Sequence, residues 1–279
     1  MNTTTPSRNR IFLRKLRLFL TPRNVLLRTR LENGAIVTGY NRPGWGGRGV
    51  YLFRDHIEPE LAALPHFLKP GFVFVDIGAN VGVFTLKAAK EVGHSGTVIA
   101  VEPFLESARQ LSYNIQLNSF QNCRVRNFCV SRDTRQQKFF LNKNKPNSFS
   151  LIQHAGASSI SVLCVSLDDL CAWEQIERLD YLKIDAEGAE DMILAGGASV
   201  ISRFRPIIQV EVTRTPSTLP DGYSRFSIAG GINNIFIPAE RYDSMWTATR
   251  LGWTRVFDQP NSTESAHRPD MLKKLAASS

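Results

Sequence analysis

Between Asp76 and Gly82 the chain reads Asp-Ile-Gly-Ala-Asn-Val-Gly, and Glu102 follows 24 residues after Gly78. Two glycines at a strand-to-helix junction suggest a bound nucleotide, but a dinucleotide fingerprint needs G-x-G-x-x-G with a phosphate on the helix N-terminus. Here the spacing differs, and Asp76 ahead of the first glycine would repel a phosphate. An acid at that point suits a ligand carrying a positive group. Gly78 and Gly82 let the backbone approach closely, the next helix N-terminus can receive a carboxylate, and Asn80 and Thr85 can add hydrogen bonds. An acid such as Glu102, at the end of the second strand, takes the two ribose hydroxyls in folds of this kind. An amino acid joined to a ribonucleoside is S-adenosylmethionine, which is the cofactor these residues predict. The plain alternative is a glycine-rich turn whose acid caps the following helix.

The elements that must hold these residues alternate. Strands are expected at 73–78, 97–102, 124–130, 138–142, 161–166, 180–185 and 205–212, with helices at 81–93, 106–118 and 188–202. Short apolar strands separated by helices of about a dozen residues imply repeated βαβ units around a parallel sheet covered on both faces. FSIAG (226–230) and NIFIPA (234–239) read as a late hairpin. The predicted fold is therefore α/β: a Rossmann-like, doubly wound, mostly parallel sheet with helices on both faces and a C-terminal antiparallel hairpin. Ligands bind such sheets beyond the carboxyl ends of the strands. That rim carries Asp76, Glu102-Pro103, Cys129-Val-Ser131, Asp185-Ala-Glu187 and Glu211, so acids end four strands.

The net charge of +9 is unevenly placed. Residues 1–30 carry eight Arg or Lys and no acid, leaving 26 basic against 25 acidic residues in the remainder. The body is close to neutral, which disfavours a nucleic-acid enzyme with positive charge spread around its active-site mouth. Within the arm, Arg10, Arg14 and Arg17 share one side of a helix, and Phe12, Leu16, Phe19 and Leu20 lie toward another. The ordinary expectation is that the apolar side packs on the domain and the basic side is solvated. The alternative is peripheral contact of residues 10–20 with an anionic membrane. Charges interrupt every apolar run, so neither a secretory signal nor a membrane-spanning helix is expected. Cys123, Cys129, Cys164 and Cys171 form no C-x-x-C pair, and Cys129 and Cys164 are read as buried thiols of a cytoplasmic protein. The domain plan is a basic arm (1–30), a cap or lid (31–70), a catalytic domain (71–258) and a polar tail (259–279).

The blocks FVDIGANVGVFTLKAAKEVG, VIAVEPFLESARQLSYNIQLN, VSLDDL, DYLKIDAEGAEDMILAGG and RPIIQVEV occur in order over residues 71–212. Together they resemble the FkbM-type family of S-adenosylmethionine-dependent methyltransferases, and the upstream GRGVYLFRDHIEPEL also fits. The arm and the tail match nothing in it. The third strand more usually ends Ala-Val-Ser-Asp in the family; here Cys129-Val130-Ser131-Arg132 stands in its place. The resemblance implies cofactor contacts at Asp76, Gly78, Ala79, Asn80, Gly82, Thr85, Glu102, Pro103, Cys129 and Asp185.

It also implies transfer of the sulfonium methyl to oxygen, commonly a hydroxyl of a sugar or glycan or of a polyketide-type metabolite. Such a displacement is accelerated mainly by positioning, and an alkyl hydroxyl must also lose a proton. Asp185 and Glu187 are the first candidates for orienting the acceptor or taking that proton, and Glu211 is the second. His56 and His154 are placed only by loops. Asp185 could instead touch the cofactor or cap a helix, since an ordinary carboxylate is a weak base for an alcohol. Asp185, Glu187 and Glu211 could also hold Mg²⁺, but no metal pattern is present and no metal is expected. Tyr40, Trp45, Tyr51 and Phe53 are candidate lid residues, and residues 221–242 are the candidate opposite wall. The competing functions are a cofactor-binding module without turnover and an RNA methyltransferase; the glycine spacing disfavours an NAD(P) oxidoreductase.

Overall fold

The structure is a computed structural model and describes residues 8–43, 46–141, 149–150, 158–186, 188–212, 214–228 and 233–257. Helix α1 (Arg8–Leu20) leads into a hairpin of β1 (Leu26–Arg30) and β2 (Ile36–Tyr40). Then come α2 (Gly47–Phe53), a 3-10 turn (Arg54–Ile57), α3 (Pro59–Ala63) and a second 3-10 turn (Leu64–His66). Pro65 sits in that second turn, where its missing N–H stops the α-helix. The alternating part begins with β3 (Val73–Ile77), α4 (Val83–Val92), β4 (Thr97–Val101), α5 (Leu105–Leu117) and β5 (Cys123–Arg126). It is interrupted by β6 (Cys129–Ser131), β7 (Arg135–Leu141), β8 (Phe149–Ser150) and β9 (Ser158–Ser166). It resumes with α6 (Leu167–Trp173), β10 (Tyr181–Ile184), α7 (Glu190–Ala195), α8 (Ala198–Phe204) and β11 (Ile207–Val210). The described chain closes with β12 (Tyr223–Ser227), β13 (Asn234–Pro238), α9 (Tyr242–Arg250) and β14 (Thr254–Val256).

The main sheet has the order β14-β12-β13-β11-β10-β3-β4-β5. The five strands from β11 to β5 are mutually parallel, whereas β13 runs antiparallel to both β11 and β12. Expectation and structure thus agree on a mostly parallel, doubly wound sheet with a C-terminal antiparallel pair. The chain winds outward from β3 toward β5 on one side and from β10 toward β11 on the other. The carboxyl ends of β3 and β10 therefore flank the topological switch point, where such sheets bind ligands. One face is covered by α3, α4 and α5, and the other by α6, α7 and α8.

Several expectations need correction. The strand expected at 124–130 breaks after Arg126, and Cys129–Ser131 leaves the main sheet to pair in parallel with Cys164–Ser166. The strand expected at 138–142, described as far as Leu141, and the one at 161–166 do not join the parallel sheet either. Both lie in a second, four-stranded sheet of order β6-β9-β7-β8. The helix expected at 188–202 is two helices, broken at Gly196-Gly197. A side chain at 196 would begin 2.4 Å from the Ser131 carbonyl oxygen, so the break is where the helix layer meets β6. The boundary drawn at residue 30 cuts through a hairpin, because Leu26–Arg30 is fully paired with Ile36–Tyr40.

Polar bonds fasten that hairpin to the catalytic layer. Asn114 on α5 donates to the carbonyls of Thr38 and Val81, each at 2.8 Å, and accepts from the Thr38 amide at 3.0 Å. Asn118 exchanges two 2.7 Å bonds with the backbone of Ile36. Asp55 and Lys87, essentially inaccessible to solvent, form a buried ion pair between the cap and α4. Each of these groups would cost free energy unpaired, so together they specify one docking geometry. Among the described residues no helix is long and apolar enough to cross a membrane.

Candidate active site

Strand register builds the site. Phe74 lies opposite Tyr181 and Asp76 opposite Lys183, while Tyr181 and Lys183 lie opposite Ile207 and Gln209. Alternation puts all six on the same face. The first row is apolar, with the Phe74 and Tyr181 rings stacked at 5.3 Å between centroids. The second row, nearer the carboxyl edge, is polar and charged. Lys183 is buried there, with Nζ 3.6 Å from Asp76 Oδ1, 3.3 Å from Asp185 Oδ2 and 4.9 Å from the Phe84 ring centre. Thr85, in the first turn of α4, donates a 2.6 Å hydrogen bond to Asp76 Oδ2.

Burial by itself would lower the Lys183 pKa, but Asp185, Asp76 and Glu58 more than offset it, and the ammonium is held above its usual range. Asp76 is pushed up chiefly by burial, against the pull of Lys183 and Thr85. Glu58, just before α3, is pushed up to about 7 by burial, partly countered by Lys183 and reinforced by Asp185. Burial likewise raises Glu60. One lysine thus stands among several carboxylates in a buried pocket, where desolvation and mutual repulsion favour the neutral forms of the acids. Asp185 is the open member, with 49% of its side chain exposed.

The glycine loop crosses the end of β10. At Gly78 the backbone has φ +78, and a Cβ there would fall 1.9 Å from the Asp185 carbonyl oxygen, so only glycine fits. The amides of Gly78 and Ala79 bond to the Val101 carbonyl at 2.9 and 3.1 Å. Glu102 then binds both sides of the crevice: one carboxylate oxygen accepts from the Asn80 amide and the other from the Phe104 amide, each at 2.8 Å. Burial raises Glu102 to about 7, opposed by those two backbone bonds. A carboxylate offers about four acceptor positions, so two remain for a diol. The Asn80 Oδ1 atom is buried without a hydrogen-bond partner. An orphaned acceptor beside a half-used carboxylate fits a hydroxyl-rich ligand such as a nucleoside.

The structure brings Asp76, Gly78, Ala79, Asn80, Gly82, Thr85, Glu102, Pro103 and Asp185 to one edge of the switch point. Asp76 is 1% exposed, with Thr85 bonded to Oδ2 and Lys183 3.6 Å from Oδ1. Thr85, fully buried, gives its hydroxyl to Asp76 rather than to a ligand. Cys129 lies in the second sheet, buried beside Cys164, because the third strand ends early. Glu211 is half-buried one residue past β11. His56 sits 3.4 Å from Glu32 of the hairpin turn, away from the rim acids. Of the candidate lid residues, Tyr51 and Phe53 lie on α2 and Tyr40 ends β2. Glu187, His154, Trp45 and the tail from 259 lie outside the described residues. So do 229–230 of the expected hairpin. Among the described residues no three His, Cys, Asp or Glu side chains cluster as metal ligands.

Sequence reasoning missed Lys183, Glu58 and Glu60. Lys183 left a signal, since a lysine inside the apolar run Tyr-Leu-Lys-Ile is rarely buried unless paired. Glu58 and Glu60 left none, because Lys183, the cation among the charges around them, comes from a strand more than a hundred residues away.

A family model described as the methyltransferase FkbM domain matches residues 76–227. The chain is 30% identical over 200 residues to the 31-O-demethyl-FK506 methyltransferase FkbM of Streptomyces tacrolimicus, an alignment covering 60% of this chain and 74% of that protein. Among solved structures it is similar to the methyltransferase FkbM of Methylobacillus flagellatus KT, with 16% identity and a TM-score of 0.42 over 68% of this chain; the match spans 52% of that chain, about half its length. It is also similar to fibrillarin of Aeropyrum pernix in complex with S-adenosyl-L-methionine, with 14% identity and a TM-score of 0.38 over 76% of this chain and 92% of that one. The matched span runs from the aspartate of the glycine loop to the end of β12 and contains both Lys183 and Glu102; by that match, the chain belongs to the FkbM methyltransferase family.

Proposed function

We propose that the protein uses S-adenosylmethionine to methylate a hydroxyl of a sugar, glycan or polyketide-type small molecule. The observation that carries this reading is Glu102, tied to the glycine loop with two acceptor positions left for the ribose diol. When bound, the cofactor supplies a sulfonium methyl group that is open to displacement by oxygen. Asn80 and the backbone of Gly78 to Gly82 line the near side of its binding crevice. Asp185, half-exposed and braced by Lys183, orients the acceptor hydroxyl or meets the cofactor's ammonium. Glu58, the residue before α3, takes the hydroxyl proton: a carboxyl raised to about 7 by burial is a better base than an ordinary carboxylate. The name of the Streptomyces relative, a 31-O-demethyl-FK506 methyltransferase, supports oxygen as the acceptor atom.

The test is methyl transfer from labelled S-adenosylmethionine to a panel of hydroxylated metabolites and glycans, combined with thermal shift by S-adenosylhomocysteine. The wild-type chain should be stabilised by the product and Glu102→Ala should lose most of that shift; an equal shift in the variant would remove Glu102 from the ribose site. Once an acceptor is found, Glu58→Gln should lower kcat by about 10²-fold or more. Full turnover would remove Glu58 from proton transfer.

A further inference from the structure

The amphipathic helix α1 does not pack as such helices ordinarily do. Its contact with the domain is a narrow stripe. Leu18 is buried, Ile11 is half-buried, and Arg14 Nη1 donates a 2.7 Å hydrogen bond to the Leu52 carbonyl at the end of α2. Asn41 secures the helix end by donating to the carbonyls of Leu18 and Thr21 at 3.1 and 2.7 Å. The apolar arc points the other way. Phe12, Leu13, Leu16, Phe19 and Leu20 are 66, 63, 49, 87 and 73% exposed. At 100° per residue they span an arc of about 120°, centred nearly opposite the Ile11–Leu18 stripe. Val25 and Leu26, just beyond the helix, are 40% exposed each.

Cations flank the arc on both sides, with Lys15 on one and Arg10 and Arg17 on the other, all exposed. Arg23, Arg28 and Arg30 are exposed in the adjoining turn and strand, and the first acid of the chain is Glu32. A soluble monomer rarely leaves so many large apolar side chains together on one element. We propose that α1 docks the protein on an anionic membrane surface, lying in the interface plane with Phe12, Leu16 and Phe19 in the acyl boundary and the flanking cations among the headgroups. A helix of 13 residues with these charges is too short to span a bilayer, whereas an apolar arc edged by Lys and Arg is the pattern of an interfacial helix. Charge argues against the two other occupants. A second copy would bring two uncompensated sets of cations together, and a nucleic acid would leave the apolar arc without a partner.

The experiment is cosedimentation of the full chain with phosphatidylcholine vesicles containing about a third phosphatidylglycerol, against phosphatidylcholine alone. Sedimentation with the anionic vesicles and weakening in high salt are expected. The double variant Phe12→Glu/Phe19→Glu should lose binding. The triple variant Arg10→Gln/Lys15→Gln/Arg17→Gln should bind roughly a hundredfold more weakly, at about fivefold per charge. Melting temperatures within a degree or so of wild type would verify that both variants fold, since every altered side chain is exposed. The proposal is overturned if the wild type ignores the anionic vesicles or if the Phe variant sediments like wild type. A solution dimer that the Phe variant converts to monomer would also overturn it, assigning the face to a second copy. So would RNA binding that the Phe variant abolishes.

Discussion

The two faces of the central sheet begin alike and end differently. Under α6, α7 and α8, Val75, Ile77, Leu182, Ile184, Ile208 and Val210 stay apolar from the amino end to the carboxyl edge, none more than 3% exposed. Under α3, α4 and α5, the apolar row of Phe74, Tyr181 and Ile207 gives way after one step to Asp76, Lys183 and Gln209. Both faces are equally dry. The difference teaches that burial depth alone does not separate scaffold from site here. Each apolar side chain on the first face contributes about 1.5–3 kcal/mol by burial. The charges on the second face cost free energy to desolvate, a cost that the Lys183 pairings with Asp76 and Asp185 and the Thr85 bond to Asp76 offset in part. One face stabilises the sheet; the other spends stability to hold a charged cluster at the switch point.

Three measurements would break or sharpen that contrast. The largest effect is expected for Lys183→Met, which leaves Asp76 buried without its cation. Unfolding free energy should fall by about 3–5 kcal/mol, measured by denaturant titration. Adding Asp76→Asn should recover much of that stability but not turnover, because replacing a buried ion pair as a unit is far cheaper than breaking it. If Lys183→Met is as stable as wild type, the charged row is not an interdependent unit. A comparable or somewhat smaller loss, about 2–5 kcal/mol, is expected for Ile208→Ala on the apolar face. Well below its melting temperature that variant should keep the S-adenosylhomocysteine shift; loss of ligand binding in a folded Ile208→Ala would show that the two faces are not separable. The smallest effect concerns pH. The folded-state pKa of Glu58 is raised to about 7 from an ordinary 4.5. Its contribution to stability is therefore complete below the ordinary value and is lost as pH rises through the raised one. Melting temperature should decline across that window, and Glu58→Gln, which cannot ionise, should flatten the decline. An unchanged slope would mean that Glu58 titrates as an ordinary carboxylate.

Legibility followed the range of the interactions. β3, the glycine loop, α4 and Glu102 could be read because strand alternation, glycine spacing and a terminal acid are patterns within about 30 residues. The β12–β13 pair could be read for the same reason. The second sheet could not, since β6 finds its partner in β9, where Cys129 pairs with Cys164, and the apolar end of β9 reads like a strand of the main sheet. Asp76 shows the limit within the site itself. Its type and position marked it as part of the site, but its partner, Lys183, comes from a strand 107 residues later, beyond the reach of any local pattern. Helix α1 shows the same limit on the surface: periodicity separated its apolar side from its basic one without saying which would meet the domain.

The sequence by itself determined the alternation of strands and helices from β3 to α5, the glycine loop at 78, the acid just after β4, and membership of a methyltransferase family. These rest on local backbone geometry and on side-chain types at short spacing. Tertiary structure alone decided which acids are free and which are paired, which strands leave the main sheet, and which side of α1 stays exposed. Those outcomes depend on the desolvation and pairing of groups far apart in the chain, and neither quantity exists until the sheet has closed around Lys183.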